Sequence, residues 1–156
     1  MDCYVAEIAG TVSHAEFVEA FYTTAVFKLE RLILRLLVSR PSTDAEAREL
    51  AQWKRDSFAA WSVEARATDQ LLLSDFTGRT KSWLMVAAPQ NAGSPSTRLF
   101  FGSAVVQARS ASAGRTSLGF VFTALLGFHK LYSRILLRSA VSRLSRRAIT
   151  PTLRTG

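Results

Sequence analysis

Cysteine is almost absent from this sequence, in which Cys3 is the only one among 156 residues. A disulfide within the chain is therefore excluded, and no C-x-x-C pair exists to hold zinc or to act as a redox centre. The two histidines, His14 and His129, lie far apart in the sequence, so a zinc site built on histidine is not expected either. The sequence therefore predicts neither a bound metal nor a cofactor. A single cysteine is also compatible with a reducing compartment.

Long hydrophobic runs are also lacking. The longest uncharged apolar stretch, residues 116–128, has 13 residues, whereas a membrane-spanning helix needs about 20. The first residues, MDCYVAEIAG, lack the basic segment and the apolar stretch of a signal peptide. We therefore expect a cytoplasmic protein, and peripheral association with a membrane stays open.

Sequence motifs that mark several common enzymes and RNA-binding proteins are missing as well. The chain has no Walker or dinucleotide-binding glycine pattern, so a phosphate-binding glycine loop is not predicted. Its serines are not embedded in the G-x-S-x-G turn of the α/β-hydrolases. The segment RLFFGSAVV does not match the motif of RNA-recognition strands, so binding of nucleic acid would depend on charge alone and is not favoured.

Acidic residues are missing from the second half of the chain. All twelve lie at or before Asp75, where eight Lys and Arg leave a net charge of −4. Residues 76–156 contain twelve Lys and Arg and no acid, which gives +12. Such asymmetry is typical of a protein with an anionic partner, such as a membrane surface, although the basic half can also pack against the acidic half.

Two capping boxes predict where helices begin near the N-terminus. Ser13 with Glu16, and Thr43 with Glu46, have the spacing in which each side chain satisfies a free backbone N–H of the other residue. Apolar residues at helical spacing follow the first box, with a break expected near residues 23–24 and an end before Pro41. A candidate strand over residues 3–12 precedes two or three helices.

The middle of the chain predicts four strands connected by turns. They cover residues 58–67, 71–76, 81–88 and 97–106. In the first of them, strict alternation predicts Trp61 on one face and Ser62, Glu64 and Arg66 on the other. Short turns between the strands favour an antiparallel meander rather than parallel crossovers.

The last third predicts one long helix, from about Ser117 to Arg147. Its apolar residues recur three or four positions apart and form a stripe that includes Phe122, Leu125, His129, Tyr132 and Leu136. Lys130, Arg134 and Arg138 occupy a separate arc roughly 80° wide. The predicted class is α+β, in which a curved antiparallel β-sheet grips the C-terminal helix within a single domain, residues 1–148, followed by a frayed tail, residues 149–156.

The order of four segments resembles a known superfamily. FAAWSVEARATDQLLL, GRTKSWLMV, TRLFFGSAVV and GFHKLYSRILL are similar to the helix-grip, START-like proteins of the polyketide cyclase and birch-pollen-allergen type, closest to a bacterial family of unknown function. The resemblance covers about residues 58–140. It implies a cavity between the sheet and the C-terminal helix that takes a lipid- or polyketide-like ligand.

Several residues are candidates for binding that ligand. His129 and Tyr132 place two polar groups on an apolar stripe, which is the usual make-up of a small-molecule site. The alternative for His129 is a core histidine with a protein partner. The other candidates are apolar or aromatic and can either line a cavity or fill the core: Trp61, Trp83, Phe101, Phe122, Leu125 and Leu136.

An enzyme is the first alternative to a binding protein. Asp75 and His129 could act as acid and base in a cyclase or hydrolase, provided that they converge in one pocket. Asp75 is otherwise a strand-end acid before the turn at Gly78, paired with Arg79 or Lys81. The residues favour binding over catalysis.

Two further alternatives involve the protein surface. Lys130, Arg134 and Arg138 could contact an anionic membrane surface, where each basic residue contributes about 1 kcal/mol, or they could simply be solvated. The domain could also be fully packed, without a cavity, and act through partner proteins. The sequence does not predict the oligomeric state.

Overall fold

The computed structural model describes residues 2–38, 42–88, 95–105 and 118–149, excluding the side chains at positions 30, 33–38, 105, 118–130 and 147–149. Its helices are α1 His14–Tyr22, α2 Ala25–Val38, α3 Asp44–Ala51 and α4 Leu118–Ile149. Its strands are β1 Asp2–Ala9, β2 Ser57–Phe58, β3 Trp61–Ala67, β4 Gln70–Asp75, β5 Thr80–Ala87 and β6 Ser96–Val105. The predicted tail, residues 149–156, lies almost wholly outside the described residues.

The six strands form one antiparallel sheet in the order β1-β6-β5-β4-β3-β2. Strands β2 to β6 follow one another as a meander, and β1 pairs antiparallel with β6 at the edge opposite β2. The α+β class, the predicted meander and the predicted first strand are confirmed. The two-residue strand β2 was not predicted, since it is too short to show a period.

Both predicted capping boxes are present, and they fix the start of α1 and α3. At α1, the Ser13 hydroxyl accepts a hydrogen bond from the Glu16 N–H at 3.2 Å, and the Glu16 carboxylate accepts one from the Ser13 N–H at 2.8 Å. Thr43 and Glu46 make the same pair of bonds at α3. Helix α1 ends before Thr23, as the sequence predicts.

A cluster of aromatic rings forms the centre of the core. Phe21 of α1 contacts Phe101 of β6 with ring centroids 4.7 Å apart, and this contact joins the helix to the inner face of the sheet. Edge-on contacts connect Phe21 to Tyr22 at 5.2 Å and Tyr22 to Phe27 at 4.8 Å. Edge-to-face geometry is the favoured arrangement for aromatic side chains, and burial of these rings stabilises the fold by removing apolar surface from water.

A β-bulge in β3 changes the face on which its last residues lie. The register with β4 shifts at Glu64, so Arg66 aligns with the buried Leu71. The predicted alternation is therefore wrong for Arg66, whose side chain is largely buried on the inner face. Its guanidinium donates a hydrogen bond to the Arg55 carbonyl at 2.9 Å and lies 5.5 Å from the centre of the Trp53 ring.

Helix α4 packs against α1 and β1 through one buried face. That face contains Ser133, Leu136, Leu137, Ala140 and Leu144. It therefore includes the C-terminal part of the predicted stripe. The Arg143 guanidinium adds a polar contact, since it donates to the Thr23 carbonyl at the end of α1 at 3.0 Å.

Candidate ligand cavity

A cavity of about 490 Å³ lies between the inner face of the sheet and the helices α1, α2 and α4. The sheet contributes Trp61, Ser82 and Phe101, and α4 contributes Tyr132 and Leu136. The lining is mostly apolar, with a few hydroxyl groups and one carboxyl group. The core is therefore not completely filled between the sheet and α4.

The cavity opens between α2 and the turn that connects β4 to β5. Leu29 of α2 and Phe76 of the turn line it, although their exposed fractions are 59% and 53%. Both residues belong to the lining and are also open to solvent, so they lie where the lining meets the surface. These two residues therefore mark the mouth of the cavity.

The structure brings together five of the residues singled out from the sequence. Trp61, Asp75, Phe101, Tyr132 and Leu136 all line the cavity, although they come from four different elements. Tyr132 and Leu136 lie one turn apart on α4, as the helical spacing predicts. Four other predicted candidates on this helix have side chains that lie outside the described residues: His129, Phe122, Leu125 and Lys130.

Trp83 lies on the opposite face of the sheet, contrary to its predicted place in the ligand site. It follows Ser82 on β5, and successive side chains of a strand point to opposite faces. Its indole N–H donates to Gln70 at 3.0 Å. Its ring covers Gly102 so closely that a Cβ at that position would lie 2.9 Å from Trp83 Cε3.

The Asp75 carboxylate is bound to the turn that follows β4. Oδ1 accepts hydrogen bonds from the backbone N–H groups of Arg79 at 2.8 Å and Thr80 at 3.1 Å, and Oδ2 accepts one from the Thr77 hydroxyl at 2.7 Å. The turn closes at Gly78, whose φ of +69° favours glycine. Asp75 is therefore a strand-end acid that stabilises the turn, as the sequence allowed. Its partners are backbone N–H groups and a hydroxyl of the turn rather than a basic side chain.

An ion pair with Lys81 does not hold Asp75 in place. Lys81, one possible partner, forms an ion pair with Glu64 on the outer face, where its ammonium lies 2.6 Å from Glu64 Oε2. Asp75 is nevertheless on the cavity wall, since it shares the inner face with Leu73 and pairs across the sheet with Trp61. An acid–base pair with His129 is not located, because the His129 side chain lies outside the described residues.

His14 is a buried histidine that the sequence did not single out. Burial lowers its pKa below the usual 6.5, and the charge of Arg66 lowers it further. A hydrogen bond to the Leu84 backbone and the charge of Asp69 oppose these effects only in part. Its Nε2 has no hydrogen-bond partner within the part of the chain that the structure describes.

This histidine predicts a pH dependence of stability. Since its pKa is lower in the folded protein, the unfolded chain binds a proton first as the pH falls below about 6.5, and the folded state loses stability. Urea denaturation at pH 7.5 and 5.5 measures the loss. We expect His14→Gln to reduce the difference between the two pH values, and an unchanged difference would contradict this role.

The described residues contain no group of three or more His, Cys, Asp or Glu that could hold a metal ion. Among the described residues, no helix is both long enough and apolar enough to cross a membrane. No family model matches this chain, and no curated protein or solved structure matches it either. The function is therefore inferred from the cavity and the surfaces around it.

Proposed function

We propose that the protein binds a small, mostly apolar ligand of lipid or polyketide type in the cavity between the sheet and α4. The cavity itself supports this most directly, since about 490 Å³ falls within the range of 300–1,000 Å³ that is typical of small-molecule sites. An apolar lining with a few convergent polar groups is the usual composition of such a site.

We further propose that α4 is held across the concave face of the sheet, as in the helix-grip proteins that the sequence resembles. Two observations support this arrangement. Leu136 of α4 and Phe101 of β6 line the same cavity, and α4 also packs against β1 at one edge of the sheet. The β-strands then form the floor of the site, and the helix forms part of its roof.

Trp61 and Tyr132 are the proposed polar anchors among the described side chains. Both line the cavity, and each carries a hydrogen-bond donor on an apolar ring. His129 stays a proposed anchor, because it lies one turn before Tyr132 on the same stripe of the sequence. If these anchors act as proposed, Tyr132→Phe and His129→Ala each weaken ligand binding without unfolding the protein.

Filling the cavity is expected to weaken binding of an apolar molecule. Ser82 is buried and lines the cavity, so Ser82→Leu places three additional carbon atoms inside it. We expect the affinity for N-phenyl-1-naphthylamine, a neutral apolar fluorescent probe, to fall by about tenfold or more, which corresponds to roughly 1.4 kcal/mol. A fluorescence titration measures the affinity.

Ser74→Leu is the matched control for this experiment. Ser74 lies on the neighbouring strand and on the other face of the sheet, and it faces Lys81 in the register between β4 and β5. The same substitution there leaves the cavity unchanged, so the probe should bind as it does to the wild type. Equal affinities for the two variants would contradict the proposal.

A second function, contact with an anionic lipid bilayer, is favoured by the exposed face of α4. Leu131 and Ile135 are 58% and 41% exposed, and Arg134 and Arg138 are exposed beside them. At 100° per residue these four positions span an arc of about 100°. Because no acid follows Asp75 in the sequence, α4 has no carboxylate side chain that could repel an anionic surface.

Vesicle sedimentation tests this second function. We expect binding to phosphatidylcholine vesicles that contain phosphatidylglycerol, and weaker binding to phosphatidylcholine alone. Replacing Arg134 and Arg138 with glutamine should weaken the binding about thirtyfold, at about 1 kcal/mol for each residue. The control, Arg48→Gln with Lys54→Gln, removes the same charge from another exposed surface. Equal loss in both double variants, or binding to RNA but not to vesicles, would contradict a lipid-specific face.

A further inference from the structure

We infer that the cavity selects its ligand by the charge of the polar head group, taking an alcohol or an amine in preference to a carboxylate. This inference rests on the proposed binding of an apolar ligand, and it names the chemical class of that ligand. The residue that determines the selectivity is Asp75, the acidic side chain among the described residues of the cavity wall.

Asp75 lies where a head group would come to rest. It immediately precedes Phe76, which is exposed at the mouth of the cavity, and it pairs with Trp61 on the inner face. Three hydrogen bonds of 2.7–3.1 Å hold its carboxylate on the turn, so it cannot swing away from a bound molecule. A ligand whose chain fills the apolar interior therefore places its polar end close to this fixed negative group.

No positive side chain compensates for this charge on the described part of the cavity wall. The nearest lysine in the sequence, Lys81, is paired with Glu64 on the outer face. The polar groups that line the wall beside Asp75 are instead the hydroxyls of Thr80, Ser82 and Ser103. These groups can form hydrogen bonds with a ligand hydroxyl, but they cannot neutralise a second carboxylate.

The hydrogen bonds of Asp75 also leave room for a donor. A carboxylate has about four acceptor positions, two on each oxygen. Within the described residues, Oδ1 accepts two hydrogen bonds and Oδ2 accepts one. A hydroxyl or ammonium group can donate to the remaining position on Oδ2, whereas a carboxylate has nothing to donate and is repelled by the like charge.

A series of ligands that share one chain and differ in the head group tests the inference. Dodecanol, dodecylamine and dodecanoate are used at pH 7.5 to displace N-phenyl-1-naphthylamine from the wild-type protein. We expect the alcohol and the amine to displace the probe at concentrations about tenfold lower than dodecanoate. Asp75→Asn should remove most of this difference, because the amide is neutral and its oxygen can still accept the two backbone hydrogen bonds of the turn.

Glu64→Gln provides the matched control, since it neutralises a carboxylate on the outer face and should leave the head-group preference unchanged. Equal displacement by all three ligands, tighter binding of dodecanoate, or an unchanged preference in Asp75→Asn would each overturn the inference. In those cases the proposed binding function still stands. If the probe and all three ligands fail to bind, both the inference and the proposed function are wrong.

Discussion

Phe21→Ala is expected to lower the free energy of unfolding by about 3–5 kcal/mol. Phe21 is only 1% exposed, and its ring contacts those of Phe17, Tyr22, Phe27 and Phe101. Removing it therefore leaves a space at the junction of α1 with the sheet that the surrounding rings fill only in part. Urea denaturation followed by circular dichroism measures the change.

Phe17→Ala is the control that distinguishes an effect on stability from an effect on ligand binding, since Phe17 lies on the same helix. Phe17 is as deeply buried as Phe21, but only Phe21 is among the described residues that line the cavity. Both variants should lose stability, whereas only Phe21→Ala should also change the affinity for the fluorescent probe. A stability loss below about 1 kcal/mol for Phe21→Ala would contradict the central position of this ring.

Leu136→Ala and Leu137→Ala are each expected to lower the free energy of unfolding by about 2–5 kcal/mol. Both leucines are almost completely buried on the face of α4 that packs against the rest of the protein. The losses are expected because each truncation removes apolar contacts between α4 and the core. The same denaturation experiment measures both variants.

The two leucines differ in their relation to the cavity. Leu136 lines it, and Leu137 is not among its described lining residues, although the two are nearly equally buried. We therefore expect only Leu136→Ala to change probe binding. Loss of stability without any effect of Leu136→Ala on binding would show that α4 packs on the core but does not enclose the site.

The features that could be predicted from the sequence depend on local spacing. The capping boxes at Ser13 and Thr43 were predicted because both partners lie within one helical turn. The strands of the meander were predicted from alternation and from the turns between them. The place of Tyr132 and Leu136 on one wall follows from their spacing on α4.

The features that could not be predicted depend on the three-dimensional arrangement. The bulge at Glu64 moves Arg66 to the inner face, and no local signal marks it. Trp83 is a candidate for the cavity wall from the sequence, but the face on which it lies depends on the strand register, which places it opposite Gly102 of β6. The burial of His14 likewise results from packing between α1 and β5, which a sequence pattern at the start of a helix does not show.

Asp75 both stabilises a turn and lines the cavity, and this combination also depends on the three-dimensional arrangement. Its position before a glycine-containing turn predicts a structural carboxylate, and alternation along the strand places it on the same face as Leu73. The structure combines the two, since the carboxylate of Asp75 closes the turn and the residue is part of the cavity lining. Only the pairing of β3 with β4, which places Asp75 opposite Trp61, brings it to the mouth.

The presence of a ligand in the cavity is tested most directly by native mass spectrometry of the gently purified protein, with Ser82→Leu measured in parallel. The wild type should carry a bound small molecule that solvent extraction releases, and the filled variant should carry none. An equal load on both proteins would place the molecule elsewhere. A wild type that carries no ligand and also fails to bind N-phenyl-1-naphthylamine would contradict the account.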